Sequence, residues 1–176
     1  MKLIRLTAAP LLFVSLFVLT SCEKNADKKI QTDFAKSGIV LSGAQEVPAV
    51  PSSALGSMDV FYTKETRILS YTVSWSGLSD SVLLMHIHAV APTGFAAGVL
   101  QNIVTTSNSI FPQKTSGKFT FAKSGKLSGT LFVDGVVVKE ADLLNGFYYM
   151  NIHTNGVNPN GGTYSGGEIR GQITFQ

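Results

Sequence analysis

The feature that most constrains this chain is a two-residue alternation of apolar and polar side chains, cut into short lengths by glycine. Residues 67–75 set Leu69, Tyr71, Val73 and Trp75 on one face and Ser70, Thr72 and Ser74 on the other. That is the pattern of a strand with one buried face. Residues 167–176 behave alike: Ile169, Ile173 and Phe175 face inward, while Glu168, Arg170, Gln172 and Thr174 face solvent. Further strands are expected at 39–47, 57–63, 82–89, 99–104, 118–121, 127–133 and 147–153. All 17 glycines lie between Gly38 and Gly171, so turns are frequent there. One helical turn is expected at 139–145, ended by Gly146 as a left-handed cap. The expectation is an all-β fold, an antiparallel Greek-key-like sandwich or flattened barrel of about 8–9 short strands. No repeat of fixed period is visible; Leu-Ser-Gly recurs at 41–43 and 127–129 only.

The N-terminal segment reads differently. Lys2 and Arg5 precede an apolar run over 11–19 that only Ser15 interrupts. The run is too short for a stable span of a ~30 Å hydrocarbon layer, so residues 1–21 read as a secretory signal peptide. Leu19-Thr20-Ser21-Cys22 resembles a bacterial lipobox, which implies that Cys22, the single cysteine, becomes the lipidated first mature residue. Several acyl chains on one cysteine anchor firmly, since each buried CH₂ contributes ~0.8 kcal/mol and one chain alone is marginal. Residues 22–37 hold only Ile30 and Phe34 as large apolar side chains, and read as a flexible tether. The expected location is the bacterial cell envelope, at the outer membrane or periplasmic face.

Charge narrows the partners. Lys and Arg number 14 against 11 Asp and Glu, a net charge of +3. The surplus lies in the leader and tether, and residues 38–176 carry eight basic and eight acidic side chains. A neutral body has no basic stripe for phosphate, which argues against nucleic acid. A lone cysteine excludes an internal disulfide framework and zinc sites built on several thiolates.

Several phrases occur together in order. They are Leu41-Ser42-Gly43-Ala44-Gln45-Glu46-Val47-Pro48, Gly77-Leu78, His86-Ile87-His88, Tyr149-Met150-Asn151-Ile152-His153-Thr154 and Gly167-Glu168-Ile169-Arg170-Gly171-Gln172. As a set they resemble the chordin-type (CHRD) domain, over the whole of residues 39–176. Where the family shows a glycine-rich stretch after the HxH, residues 92–98 here are more apolar than usual. The resemblance implies a β-rich extracellular domain, associated in animal chordin with binding secreted growth factors and without a settled role in bacteria. It does not imply an enzyme.

All three histidines fall inside these phrases. His86 and His88, two apart on a strand, project from one face with Cα atoms ~6.5–7 Å apart. Tyr149, Asn151 and His153 share the face of another strand. If those strands are neighbours, three imidazoles converge and can hold one ion through nitrogens at ~2.0–2.1 Å. Glu46 and Glu168 are candidate fourth or outer ligands that orient a ring through its other N–H. Without thiolate the ions to consider are Cu(II) and Zn(II), then Ni(II). The competing reading has buried neutral histidines bonded to Asn151, Thr154 or Glu168. Glu168 and Arg170 are expected to pair on an exposed face, contributing ~0–1 kcal/mol and bracing the His153 motif. The loop at 155–167 is polar and of a kind that often carries recognition.

Catalytic patterns are missing. The sequence contains no Gly-x-Ser-x-Gly elbow, P-loop or Rossmann fingerprint. The HxH…H arrangement is similar to those of copper–zinc dismutases and cupins. The dismutase site needs more histidines, however, and the cupin pattern wants a glutamate within 89–94 that is not there. A three-histidine zinc hydrase lacks a recognisable proton-transfer group. The leading expectation is a non-enzymatic, lipid-anchored envelope domain that binds a protein or carbohydrate through its loops. The alternative is a copper- or zinc-binding envelope protein using His86, His88 and His153.

Overall fold

The structure is a computed structural model and describes residues 31–104 and 122–176. Residues Gln31–Gln176 form one compact unit. The leader, Cys22, most of the tether and the strand expected at 118–121 lie outside the described residues.

Eight antiparallel strands make one sheet: β1 (Asp33–Ser42), β2 (Leu55–Thr63), β3 (Ile68–Ser76), β4 (Val82–His88), β5 (Val99–Val104), β6 (Gly125–Phe132), β7 (Tyr148–Thr154) and β8 (Ile169–Ile173). Their spatial order is β5-β4-β7-β8-β1-β2-β3-β6. The chain runs up and down through β1–β3, crosses to β4 and β5, and returns to lay β6 beside β3. It then crosses again to lay β7 beside β4 and closes with β8 between β7 and β1. The result is a nearly closed barrel. Side chains bridge its remaining gap. On edge strand β5, Gln101 donates to the Thr130 carbonyl of β6 at 2.8 Å and accepts from the Tyr71 hydroxyl of β3 at 3.3 Å.

The expected alternation fills the interior. Leu69, Tyr71, Val73 and Trp75 of β3 are all buried, as are Met58, Val60 and Tyr62 of β2 and Leu127 and Leu131 of β6. The inner face of β6 has glycine where the largest rings of β3 need room. Gly129 lies opposite Tyr71 and Gly125 opposite Trp75, and a Cβ on Gly129 would overlap the Tyr71 ring. The expected helical turn is α1 (Glu140–Leu144), followed by Gly146 at φ 75°.

Three expectations need correction. The sheet begins at Asp33, so residues 33–37, read as tether, belong to β1. Phe34 is the reason: its ring packs 6.2 Å from Tyr62 and 5.9 Å from Phe175. A bulge between Lys36 and Ile39, with Gly38 at φ 71°, shifts the alternation by one residue and joins the two halves of the strand. The strand expected at 39–47 instead ends at Ser42, where a single 3₁₀ turn (Gly43–Gln45) takes over. Last, every residue of β8 is buried, including those expected to meet solvent. Their side chains do point away from the core, but two loops cover them, as described below.

Replacing Gly129 by alanine should destabilise the barrel by about 1–3 kcal/mol through overpacking against Tyr71. Denaturant unfolding of the variant beside the parent measures this, and an unchanged midpoint would contradict the packing described.

Candidate functional site

Strand β4 lies between β5 and β7. Its register with β7 sets His86 opposite Asn151, Leu84 opposite His153 and His88 opposite Tyr149. Met85, Ile87, Met150 and Ile152 are fully buried and point into the barrel. The alternate residues His86, His88, Tyr149, Asn151 and His153 therefore share its outer face. Arg170 of β8, opposite Asn151, extends the same row.

An outer face would normally be wet, yet the three histidines are only 6–8% exposed. The segments at 89–98 and 155–167 cover it. Arg170 donates to the Phe95 carbonyl at 2.8 Å, and Gln172 donates to the Ala91 carbonyl at 2.9 Å. From the other side, the Ser165 carbonyl comes within 2.8 Å of His153 Nδ1.

These carbonyls fix the tautomers. A carbonyl oxygen only accepts, so His153 carries its proton on Nδ1, facing Ser165. His88 Nδ1, 3.0 Å from the Ala97 carbonyl, is protonated for the same reason. The Nε2 atoms of both rings are then left with lone pairs, and each lies 3.0 Å from Asn151 Oδ1. His86 Nδ1 lies 3.1 Å from His153 Nε2 and donates to it. One nitrogen of each ring lies within 4.8 Å of the others. His88 also stacks on Tyr149 with parallel rings 4.8 Å apart, and the Arg170 guanidinium lies 3.4 Å from the centre of the Tyr149 ring.

Burial dominates the electrostatics. It pushes His86 from its ordinary 6.5 down to about 4, helped by His153 and His88. His88 is lowered by burial, against the hydrogen bonds to Ala97 and Asn151 that favour its charged form. His153 is likewise lowered by burial, against its bond to Ser165. All three rings are held neutral, the form that binds metal.

Neither of the two carboxylates joins the three-histidine group. Glu168, 1% exposed, accepts from Ser52 Oγ at 2.9 Å, from Ser79 N and Oγ at 2.8 and 2.7 Å, and from Thr154 Oγ1. It thus ties the start of β4 to β7, and its bonds run to hydroxyls and a backbone amide instead of to a histidine. The exposed Glu168–Arg170 pair expected from the sequence does not form: both are buried and each has other partners. Glu46, 8% exposed, keeps Oε1 buried without a hydrogen-bond partner among the described residues. Burial raises its pKa from 4.5 to about 7, against the pull of Arg170. Nothing in the sequence marks Ser52, Ser79, Ala97 or Ser165 as partners of these groups. The first two are ordinary loop serines, and the last two act through backbone oxygen.

The fold is a nearly closed antiparallel barrel with a polar, loop-covered histidine cluster on its wall. A model of the CHRD domain matches residues 38–173, and the chain belongs to that family. Membership suggests an extracellular binding or interaction domain. No curated protein matches the chain, and no solved structure does.

Two opposite pH dependences follow. The folded pKa of His86 lies below its unfolded value, so the stability it contributes is complete above pH 6.5 and is lost as pH falls toward 4, by up to about 3 kcal/mol. Unfolding free energies at pH 7 and pH 4 should differ in that direction, and His86→Gln should flatten the difference. Glu46 has its folded pKa raised, so its contribution is present below pH 4.5 and is lost as pH rises through 7. Glu46→Gln should therefore stabilise the protein by about 1–3 kcal/mol at pH 8 and change little at pH 4.5. Equal effects at both pH values would show that the buried charge is not the cause.

Proposed function

We propose that this chain is a lipid-anchored, extracytoplasmic CHRD domain that works by binding, not by catalysis, and that its histidine cluster holds a divalent transition metal, Cu(II) or Zn(II). One observation carries the metal assignment. The Ala97 and Ser165 carbonyls take the Nδ1 protons of His88 and His153, which leaves both Nε2 lone pairs converging beside His86. A ring whose far N–H is held by a carbonyl and whose near nitrogen faces other donors is arranged as metal-binding imidazoles are. The all-nitrogen donor set, with no thiolate among the described residues, favours Cu(II) and Zn(II). The sequence Leu19-Thr20-Ser21-Cys22 after an apolar run supports the anchor.

A second reading, binding of an extracellular protein or carbohydrate through the loops, is favoured by a separate observation. Phe95 and Val157, on the two segments that cover the cluster, are each 64% exposed. The two readings are compatible, since the same loops supply the carbonyls that orient the rings.

Isothermal titration calorimetry of the chain with Cu(II) and with Zn(II) tests the metal. One ion should bind, and His86→Ala/His88→Ala should weaken it by at least ~100-fold. Equal affinity in that variant would remove the assignment. Mass spectrometry of the protein from bacterial membranes tests the anchor, with acyl chains expected on Cys22 and loss from the membrane fraction expected for Cys22→Ser.

A further inference from the structure

The site has a further donor that is neither a histidine nor a carboxylate. The side-chain oxygen of Asn151 lies 3.0 Å from His88 Nε2 and 3.0 Å from His153 Nε2. We infer that Asn151 Oδ1 is the fourth ligand of a planar N₃O site and that this geometry selects Cu(II) over Zn(II). The inference rests on the metal reading above and names its ion.

With Nδ1 of His88 and His153 given to Ala97 and Ser165, three lone-pair atoms meet: His88 Nε2, His153 Nε2 and Asn151 Oδ1. Among the described residues, the only hydrogen directed among them is that of His86 Nδ1. Buried acceptors facing one another at hydrogen-bond distance repel, and they are relieved either by protons or by a cation. The proton-based solution is the Asn151 amide turned over, so that its NH₂ donates to both rings.

Distances then separate the cation geometries. Taken in order, His86 Nδ1, His153 Nε2, Asn151 Oδ1 and His88 Nε2 are spaced 3.1, 3.0 and 3.0 Å apart. Four donors at ~2.05 Å from a metal sit ~2.9 Å from their neighbours in a square plane and ~3.3 Å apart in a tetrahedron. A tetrahedron also allows no separation above ~3.3 Å, whereas a square has a diagonal of ~4.1 Å. The three contacts along the row, 3.1, 3.0 and 3.0 Å, are nearer the ~2.9 Å edge of the square than the ~3.3 Å edge of the tetrahedron. Cu(II) prefers tetragonal N,O surroundings, and structural Zn(II) is almost always tetrahedral. To ligate through Nδ1, His86 moves its proton to Nε2, so a neutral ring enters the site and no net proton is lost.

Two measurements test this on the full chain. The first is electron paramagnetic resonance of the Cu(II)-loaded protein, with competition against Zn(II), for the parent, Asn151→Ala and Asn151→Asp. The parent should give an axial signal with three coupled nitrogens and bind Cu(II) at least ~100-fold more tightly than Zn(II). Asn151→Ala should weaken Cu(II) at least ~10-fold and shift the signal, and Asn151→Asp should restore both. The second is copper X-ray absorption on the parent, which needs no variant to fold. It should show three imidazoles and one oxygen near ~2.0 Å in a plane. A parent-like signal and affinity in Asn151→Ala, or a tetrahedral shell, overturns the Asn151 ligand while leaving the three-histidine site standing. If the parent binds neither ion, both readings fall and the turned amide explains the cluster.

Discussion

The antiparallel pairing of β4 with β7 is the constraint on which the rest of this structure depends. The two strands are far apart in sequence, and a crossing connection brings them together. One register then performs two tasks. It buries Met85, Ile87, Met150 and Ile152 on the inner face and aligns His86, His88, Asn151 and His153 on the outer one. A slip of one residue would exchange the faces, placing imidazoles in the core and methionines under the loops. The apolar interior thus enforces the position of the polar cluster. The side chains that fill the barrel are the ones that aim the histidines.

Covering a polar row is costly unless each group finds a partner. Here the partners come from loop backbone as much as from side chains. Arg170 bonds the Phe95 carbonyl, Gln172 the Ala91 carbonyl, His88 the Ala97 carbonyl and His153 the Ser165 carbonyl. Glu168 is satisfied by three hydroxyls and an amide, which makes it a rivet between loop and sheet. Glu46 is the exception, and its raised pKa is what an incompletely satisfied buried carboxyl shows.

The alternation of β3 and β6 was legible in the sequence because a half-buried strand leaves a period-two trace, and both faces of β3 follow it. The two-residue spacing of His86 and His88 was legible for the same reason. The polar face of β8 misled because alternation reports which side chains avoid the core; it says nothing of whether a loop lies above the others. Phe34 was hidden by its polar neighbours, since a single aromatic ring in a charged stretch gives no periodicity. It takes the partners Tyr62 and Phe175, distant in sequence, to draw it into the sheet. The role of Asn151 was half visible. Its place beside His153 could be read from the chain, but its contact with His88 exists only through the β4–β7 register.

That register also links the cluster to the surface of the protein. His88 and His153 each hold one covering loop by an Nδ1–H bond, His88 at Ala97 and His153 at Ser165. Drawing electron density from Nε2 acidifies the opposite N–H and strengthens the bond it donates. Engagement of the two Nε2 atoms would strengthen both contacts, and Phe95 and Val157 lie exposed on the same two segments. The barrel wall beneath is hydrogen-bonded on both sides of β4 and of β7. The imidazoles thus connect the buried cluster to the segments that carry an exposed apolar rim.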